Sequence, residues 1–277
     1  MKYGFVLPSG DARTTADFAY DAEQAGWDGF FVPELLWGID AWVALTAAAM
    51  RTERIRLGTD LTPVSRRRPW KLASETVTLD HLSHGRVILA VGLGALDTGF
   101  AEFGEVTDRK TRAELLDEGL DILTGLWRGQ PFNYNGKHYT IKETSFYPPP
   151  PPVQQPGIPI WTVGAWPRKK SMQRVLRYDG LLPNVFGDDG KLREITPDDI
   201  RAMRAFVAEH RSATTPFDII MEGETPGDDH AQAAAIVRRW ADAGATWWIE
   251  AMWNAPRGEV GLATVRQRIR QGPPRVE

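Results

Sequence analysis

"TERIRLGTDLTPVSRRRPWKLASETVTLDHLSHGRVILAVGLG", residues 52–94, decides the fold. Two short runs of β-branched and aliphatic residues, 55–58 and 86–91, enclose a longer stretch, 69–82, whose apolar residues recur at helical spacing. The segment reads as strand, helix, strand. Consecutive strands joined by a helix lie parallel, because a helix is the usual way to carry the chain back to the starting edge.

The same alternation continues in both directions. Strands are predicted at residues 3–7, 29–32, 55–58, 86–91, 158–163, 180–182, 217–221 and 246–250. Amphipathic helices are predicted at 14–25, 40–51, 69–82, 109–127, 167–177, 197–210, 228–243 and 260–270. Eight such units in 277 residues fit a single α/β domain, a closed (β/α)8 TIM barrel, better than an open doubly wound sheet, which stays as the alternative. "EQAGWDG" (23–29) and "ADAGATW" (241–247) both place glycine where a helix stops before a strand. One connection is long: an insertion over about residues 128–157 separates the fourth helix from the fifth strand. Within it "NYNGKHYT" (133–140) reads as a hairpin turn and the prolines 148–152 as a stiff polyproline spacer.

Composition removes several classes of function. Thirty-three Lys and Arg against 36 Asp and Glu leave a net charge of −3, which argues against an electrostatic nucleic-acid binder. With 42% hydrophobic and 25% charged residues the chain can bury a large core. No cysteine means no disulfide, thiolate metal site or Cys nucleophile, in keeping with a reducing cytoplasm. The apolar stretch at 3–8 is too short for a signal peptide core, and no run reaches the roughly 18 apolar residues of a membrane helix. The expectation is a cytoplasmic protein without membrane or nucleic-acid partners.

In such a barrel the chemistry lies at the carboxyl ends of the strands. The residues there are 8–10, 33–36, 59–63, 92–97, 164–166, 183–184, 222–223 and 251–253, a set rich in glycine and aromatics and poor in histidine. It suits a flat, bulky ligand. No phosphate loop or Gly-x-Ser-x-Gly elbow is present, and "GLGALDTG" lacks the spacing of a dinucleotide fingerprint. His81 and His84, near Asp80, have a spacing that metal ligands could use, but they belong to the last turn of the third helix, away from the catalytic end, and no metal is expected. Glu34, Glu222 and Glu250 end strands, so a carboxylate pair with sugar-stacking tryptophans, of which the chain has eleven in all, makes a glycosidase a further alternative.

Residues 52–94 also carry a resemblance. Together with "RAELLDEGLDILTGLWRGQPFNYNGKHYTIKE" (112–143), "PIWTVGAWP" (159–167) and "RYDGLLPN" (177–184), in that order, they resemble the luciferase-like monooxygenases, barrel enzymes related to bacterial luciferase. The resemblance implies reduced FMN, or in a neighbouring branch the deazaflavin coenzyme F-420, held at the strand ends. It implies a non-proline cis peptide at Asp60–Leu61 behind the ring, and the backbone of Gly92, Leu93 and Gly94 along it. Gly164, Ala165 and Trp166 would offer amides to the cofactor phosphate, and Arg112 would contact it. Where many members carry an acidic residue followed by histidine, this chain reads "VPELLW": Glu34 matches and Leu35 replaces the histidine. Glu34 becomes the proton-transfer candidate, with a rim carboxylate holding an arginine as its other reading. Arg66, Arg67 and Arg68 read as structural, and Trp37, Trp166, Trp253 and Phe100 as pocket walls.

The activity so implied is a flavin-dependent monooxygenase acting with oxygen on a small organic substrate. Alternatives are F-420-dependent hydride transfer and a flavin-binding protein without turnover. A homodimer and a separate flavin reductase are the partners that family habit suggests.

Overall fold

The structure, a computed structural model, describes residues 1–145 and 150–276. In chain order the strands are β1 (Lys2–Val6), β2 (Gly29–Val32), β3 (Arg56–Pro63), β4 (Val87–Gly92), β5 (Phe132–Asn135), β6 (Thr140–Thr144), β7 (Ile160–Trp166), β8 (Gly180–Phe186), β9 (Leu192–Arg193), β10 (Asp218–Gly223) and β11 (Trp247–Ala251). The helices are α1 (Ala12–Ala25), α2 (Ala41–Arg51), α3 (Pro69–Leu82), α4 (Arg109–Arg128), α5 (Lys169–Val175), α6 (Pro197–His210), α7 (His230–Ala243) and α8 (Gly258–Arg270). Eight strands pair parallel around a closed circle, β1-β2-β3-β4-β7-β8-β10-β11, and β11 returns to β1 with Lys2 opposite Trp247. Closure rules out the open sheet.

Local chemistry explains why the elements begin and end where they do. Asp11, Asp40, Asp108 and Asp229 each accept the backbone N–H three residues on, at 2.7–2.9 Å, and so cap α1, α2, α4 and α7. Such a cap contributes about 1 kcal/mol. At the other end, α1 and α7 stop at Gly26 (φ 87°) and Gly244 (φ 110°), left-handed positions that a side chain would strain. These are the two glycine joints expected from the sequence.

The barrel is filled, not hollow. Phe31, Trp161 and Trp247 meet inside it with ring centroids 5.1–6.2 Å apart, and Gly4 and Gly29 make room: a Cβ at either would lie 2.8 Å from the Phe31 ring. A second apolar layer, including Phe5, Phe30, Leu57 and Leu89, faces the helices. Alternation along each strand divides its residues between these two layers.

Three features place the site. Between Thr59 and Thr62 the register of β3 against β4 slips by one residue, so Asp60 and Leu61 bulge at the barrel mouth. β3 therefore runs on to Pro63 instead of ending at Gly58, and β7 runs on to Trp166, which shortens α5. The joint between β8 and β10 is brief: only Asp218 opposite Gly180 and Ile219 opposite Leu181 pair, whereas β7 and β8 stay paired from Trp161 to Trp166.

The insertion forms the expected hairpin, with β5 antiparallel to β6 and Gly136 N–H donated to Tyr139 O at 2.8 Å. Of the expected polyproline run, Pro148 and Pro149 lie outside the described residues. β9, antiparallel to the end of β8, is an addition that the sequence did not signal.

Candidate active site

The mouth is built on the β3 bulge. The Asp60–Leu61 peptide is cis. Leu61 and Val163 pack on the aromatic plug, and Gly92 closes against both: a Cβ there would lie 2.9 Å from Val163 and 3.1 Å from Leu61. Glycine at 92 is thus a close-packing requirement between β4 and the bulge. Arg112 is no solvated helix-face arginine. It is 4% exposed, lies over the Phe100 ring, and donates from one Nη to the carbonyls of Leu93 (2.9 Å) and Gly94 (3.1 Å), with Nε buried and unpartnered. As placed, it clamps the 93–94 backbone.

The carboxylates sort into three situations. Glu34 Oε2 accepts from Thr62 Oγ1 at 2.6 Å and Trp42 Nε1 at 3.0 Å, and Oε1 lies 3.7 Å from Arg66 and 3.6 Å from Arg67. Burial raises its pKa against the pull of these partners. Oε2 accepts two hydrogen bonds and Oε1 faces the two guanidinium groups, which is the arginine-holding arrangement, and Arg66 and Arg67 are structural through it. Glu250 is fully buried on the outer side of β11, gripped by Thr225, Trp248 and Arg268. It cannot form the glycosidase pair with Glu222, since it faces the helices.

Glu222 instead finds Asp60. β3 and β10 stand on opposite sides of the circle, and from them the two carboxyl groups approach across the mouth closely enough for each to act on the other. Trp253 Nε1 also donates to Glu222 Oε1, while Asp60 Oδ2 is cut off from solvent with no partner. Burial and the neighbouring Glu222 hold the Asp60 carboxyl well above the ordinary range. Glu222, although solvent-exposed at the end of β10, is raised as well by partial desolvation of its carboxyl, opposed by the bonds from Trp253 and Asp60.

Other residues singled out in the sequence are engaged in packing. Gly164, Ala165 and Trp166 are strand, not a turn. A Cβ on Gly164 would run into Leu181 at 2.2 Å, the Ala165 N–H is donated to Ser171 Oγ at 2.9 Å, and Trp166 packs on Phe206 of α6. That triplet serves packing against α5 and α6. Phe100 is buried beneath Arg66 and Arg112 instead of lining a pocket. His81 Nε2 donates to Pro151 O at 2.8 Å, and His84 lies past the end of α3 at φ 55°.

Two arginines went unnoticed in the sequence. Arg109 at the start of α4 and Arg168 after β7 both sit over the Phe186 ring, at 5.9 and 3.8 Å, on the carboxyl-end rim. Their signal was position alone, each just after a strand-end loop. Two cavities adjoin the loop after β2. One, about 280 Å³ and mainly apolar, is lined by Leu7, Pro8, Val32, Pro33, Leu35 and Ile39. The other, about 340 Å³, is lined by Glu34, Trp37, Arg66, Arg67 and Glu105. Leu35 lines both. Among the described residues no helix is long and apolar enough to cross a membrane.

Comparison with known proteins identifies the family and the fold. A 30% identical relative over 242 residues is an F420-dependent glucose-6-phosphate dehydrogenase of Amycolatopsis mediterranei, matched over 83% of this chain and 70% of that protein. An uncharacterized Mycobacterium tuberculosis protein is 32% identical over 202 residues, 64% of this chain and 70% of its own length. Among solved structures the fold is shared with an F420-dependent secondary alcohol dehydrogenase in complex with an F420-acetone adduct (TM-score 0.75, 16% identity, 98% of both chains). It is shared equally with a monooxygenase from Streptomyces bottropensis (TM-score 0.75, 18% identity, 98% and 97%). The luciferase-like monooxygenase profile matches residues 3–272, and the chain belongs to that family of oxidoreductases.

Proposed function

We propose that this chain is a deazaflavin F-420-dependent oxidoreductase that exchanges hydride between the cofactor and a small organic substrate. The observation that carries the choice over FMN is the pair of arginines, Arg109 and Arg168, gathered on Phe186 at the rim, with Lys169 and Lys170 exposed beside them. A phosphodiester and glutamate tail, which F-420 has and FMN lacks, needs such a cationic exit. The F420-dependent relative at 30% identity supports the same reading.

The residues present fit such a group. Leu61 and Gly92 form an apolar seat at the mouth, and the unpartnered Asp60 Oδ2 beside it is a polar atom that a heterocycle with a ring N–H can satisfy. Arg112 fixes the 93–94 backbone that borders the seat, and Glu34 fixes Arg66 and Arg67. When bound, the cofactor supplies a ring carbon that accepts or returns hydride. The chain's share is to orient the ring, hold the tail, exclude water and handle the proton.

The test is a titration of the protein with F-420 and, separately, with FMN, oxidised and reduced, followed by absorbance and fluorescence. Micromolar F-420 binding that weakens on the order of tenfold in Arg109→Ala/Arg168→Ala, and weakens with salt, is the expected result. Tight FMN binding with substrate-dependent oxygen uptake would replace it with the monooxygenase reading.

A further inference from the structure

We propose that Asp60 and Glu222 work as one unit that carries the substrate proton in this reaction, in place of the residue 34–35 position. The inference rests on the hydride-transfer reading above and assigns the groups that complete it.

The usual candidates are missing, engaged or turned away from the proposed ring seat. Leu35 has no ionisable group and lines the two cavities. Glu34 is committed to Thr62, Trp42, Arg66 and Arg67. The histidines are elsewhere: His81, His84 and His210 lie at helix ends that return to the amino-terminal face, His138 is bonded to Glu114 beside the hairpin, and His230 is exposed at the start of α7. What the mouth does hold is a carboxyl pair facing inward across the axis.

Three observations make it more than two acids in contact. Asp60 lies on the bulge next to Leu61, whose side chain meets Gly92, so it borders the proposed ring seat. Its Oδ2 is buried and unpartnered, an open position in an otherwise satisfied region. Glu222 receives the indole N–H of the half-exposed Trp253, a donor that favours its ionised form and leaves Asp60 to keep the shared proton. The ionisable group acting on each carboxyl is the other, so the pair titrates as a unit.

The step balances. A carbinol substrate loses its O–H proton to the Glu222 carboxylate, and the O–H electrons form the C=O bond. The C–H bond breaks with its electron pair moving, as hydride, to the oxidised deazaflavin. Asp60, still protonated, keeps its bond to Glu222 or passes its proton onward as Glu222 takes the new one. Carbonyl reduction is the reverse. General acid–base assistance of this kind supplies roughly 10²- to 10⁴-fold in rate.

The first readout needs no turnover. Carboxyl ¹³C NMR or infrared titration of the cofactor-free protein should show one proton shared by the pair at neutral pH, lost from that position in Glu222→Gln and Asp60→Asn. The second uses F-420 and a panel of alcohols. Glu222→Gln should bind F-420 within about threefold of wild type yet turn over on the order of 100-fold more slowly. Trp253→Phe removes the donor to Glu222 and should move the acidic limb of the pH–rate profile to higher pH, which a merely structural pair would not do. Two ionised carboxyls at neutral pH, or full turnover in both carboxyl variants, overturns the proposal while leaving the cofactor reading intact. Failure of wild type to bind F-420 overturns the reading on which it rests.

Discussion

Arg66 holds Glu34 at both ends: its Nη2 donates to the Glu34 carbonyl at 2.5 Å and stands 3.7 Å from the carboxylate of the same residue. Both side chains are nearly sealed, at 6% and 7% exposure. Substituting Glu34→Gln leaves Arg66 and Arg67 facing a neutral group, and loss of one partner of a buried pair costs about 3 kcal/mol or more. We expect a fall in Tm of several degrees, measured by calorimetry, with the loss of cofactor binding following the loss of structure at the loop after β2. An unchanged Tm would return Glu34 to the list of proton carriers.

Gly92→Ala tests the seat. The new Cβ would meet Val163 at 2.9 Å and Leu61 at 3.1 Å, so the bulge must give way. Overpacking of this kind costs about 1–3 kcal/mol. Cofactor affinity should fall by more than stability does, because Leu61 is displaced at the mouth, and paired measurements of Kd and urea midpoint separate the two.

A pH test of stability falls on α6. Arg193 and the Thr196 hydroxyl and N–H hold Asp199 at about 2, below the ordinary 3.8, and Asp199 in turn completes the capping box that starts the helix. A depressed pKa means that the native state favours the ionised form, so the contribution is complete above the ordinary value and fades as pH falls toward about 2. Asp199→Ala should cost about 1 kcal/mol at neutral pH. The difference from wild type should shrink in urea melts taken at progressively lower pH through that window.

The Asp60–Glu222 pair carries the opposite sign. Both values are raised, so the folded state holds protons that the unfolded chain releases. Stability from this source is complete below the ordinary carboxyl range and is lost as pH rises through the raised values. Asp60→Asn, which cannot ionise, should therefore lose less stability than wild type on going from acid to alkaline solution. Parallel slopes for the two proteins would contradict the shared proton.

How much of this could be read beforehand depended on how local the cause was. The barrel follows from two periodicities, two and 3.6, repeated along the chain, and from glycines such as Gly26 and Gly244 that end helices by backbone geometry alone. The hairpin turn at Gly136 is equally local. Strand alternation also held information that went unused: Trp247, Ile249 and Ala251 face the interior, so Glu250 between the last two must face out, and Ile220 facing in puts Glu222 on the same side. Where Asp60 finds Glu222 depends on how strands from opposite sides of the circle are set in height, which no neighbouring residue announces. The same holds for Gly164, whose absent side chain answers to Leu181 on the next strand and to α5, so a packing glycine looked like a ligand turn.

The brief joint between β8 and β10 has a mechanical meaning. A ring of strands laced along its whole height has one girth. Here the lacing stops at Leu181 and Ile219, while both strands continue toward the mouth, β8 to Phe186 and β10 to Gly223. Pro183, with no N–H to offer, helps to keep that side untied. The ring is therefore tied at its base between β8 and β10 and left without strand pairing between them near its rim, where both strands run on toward the mouth.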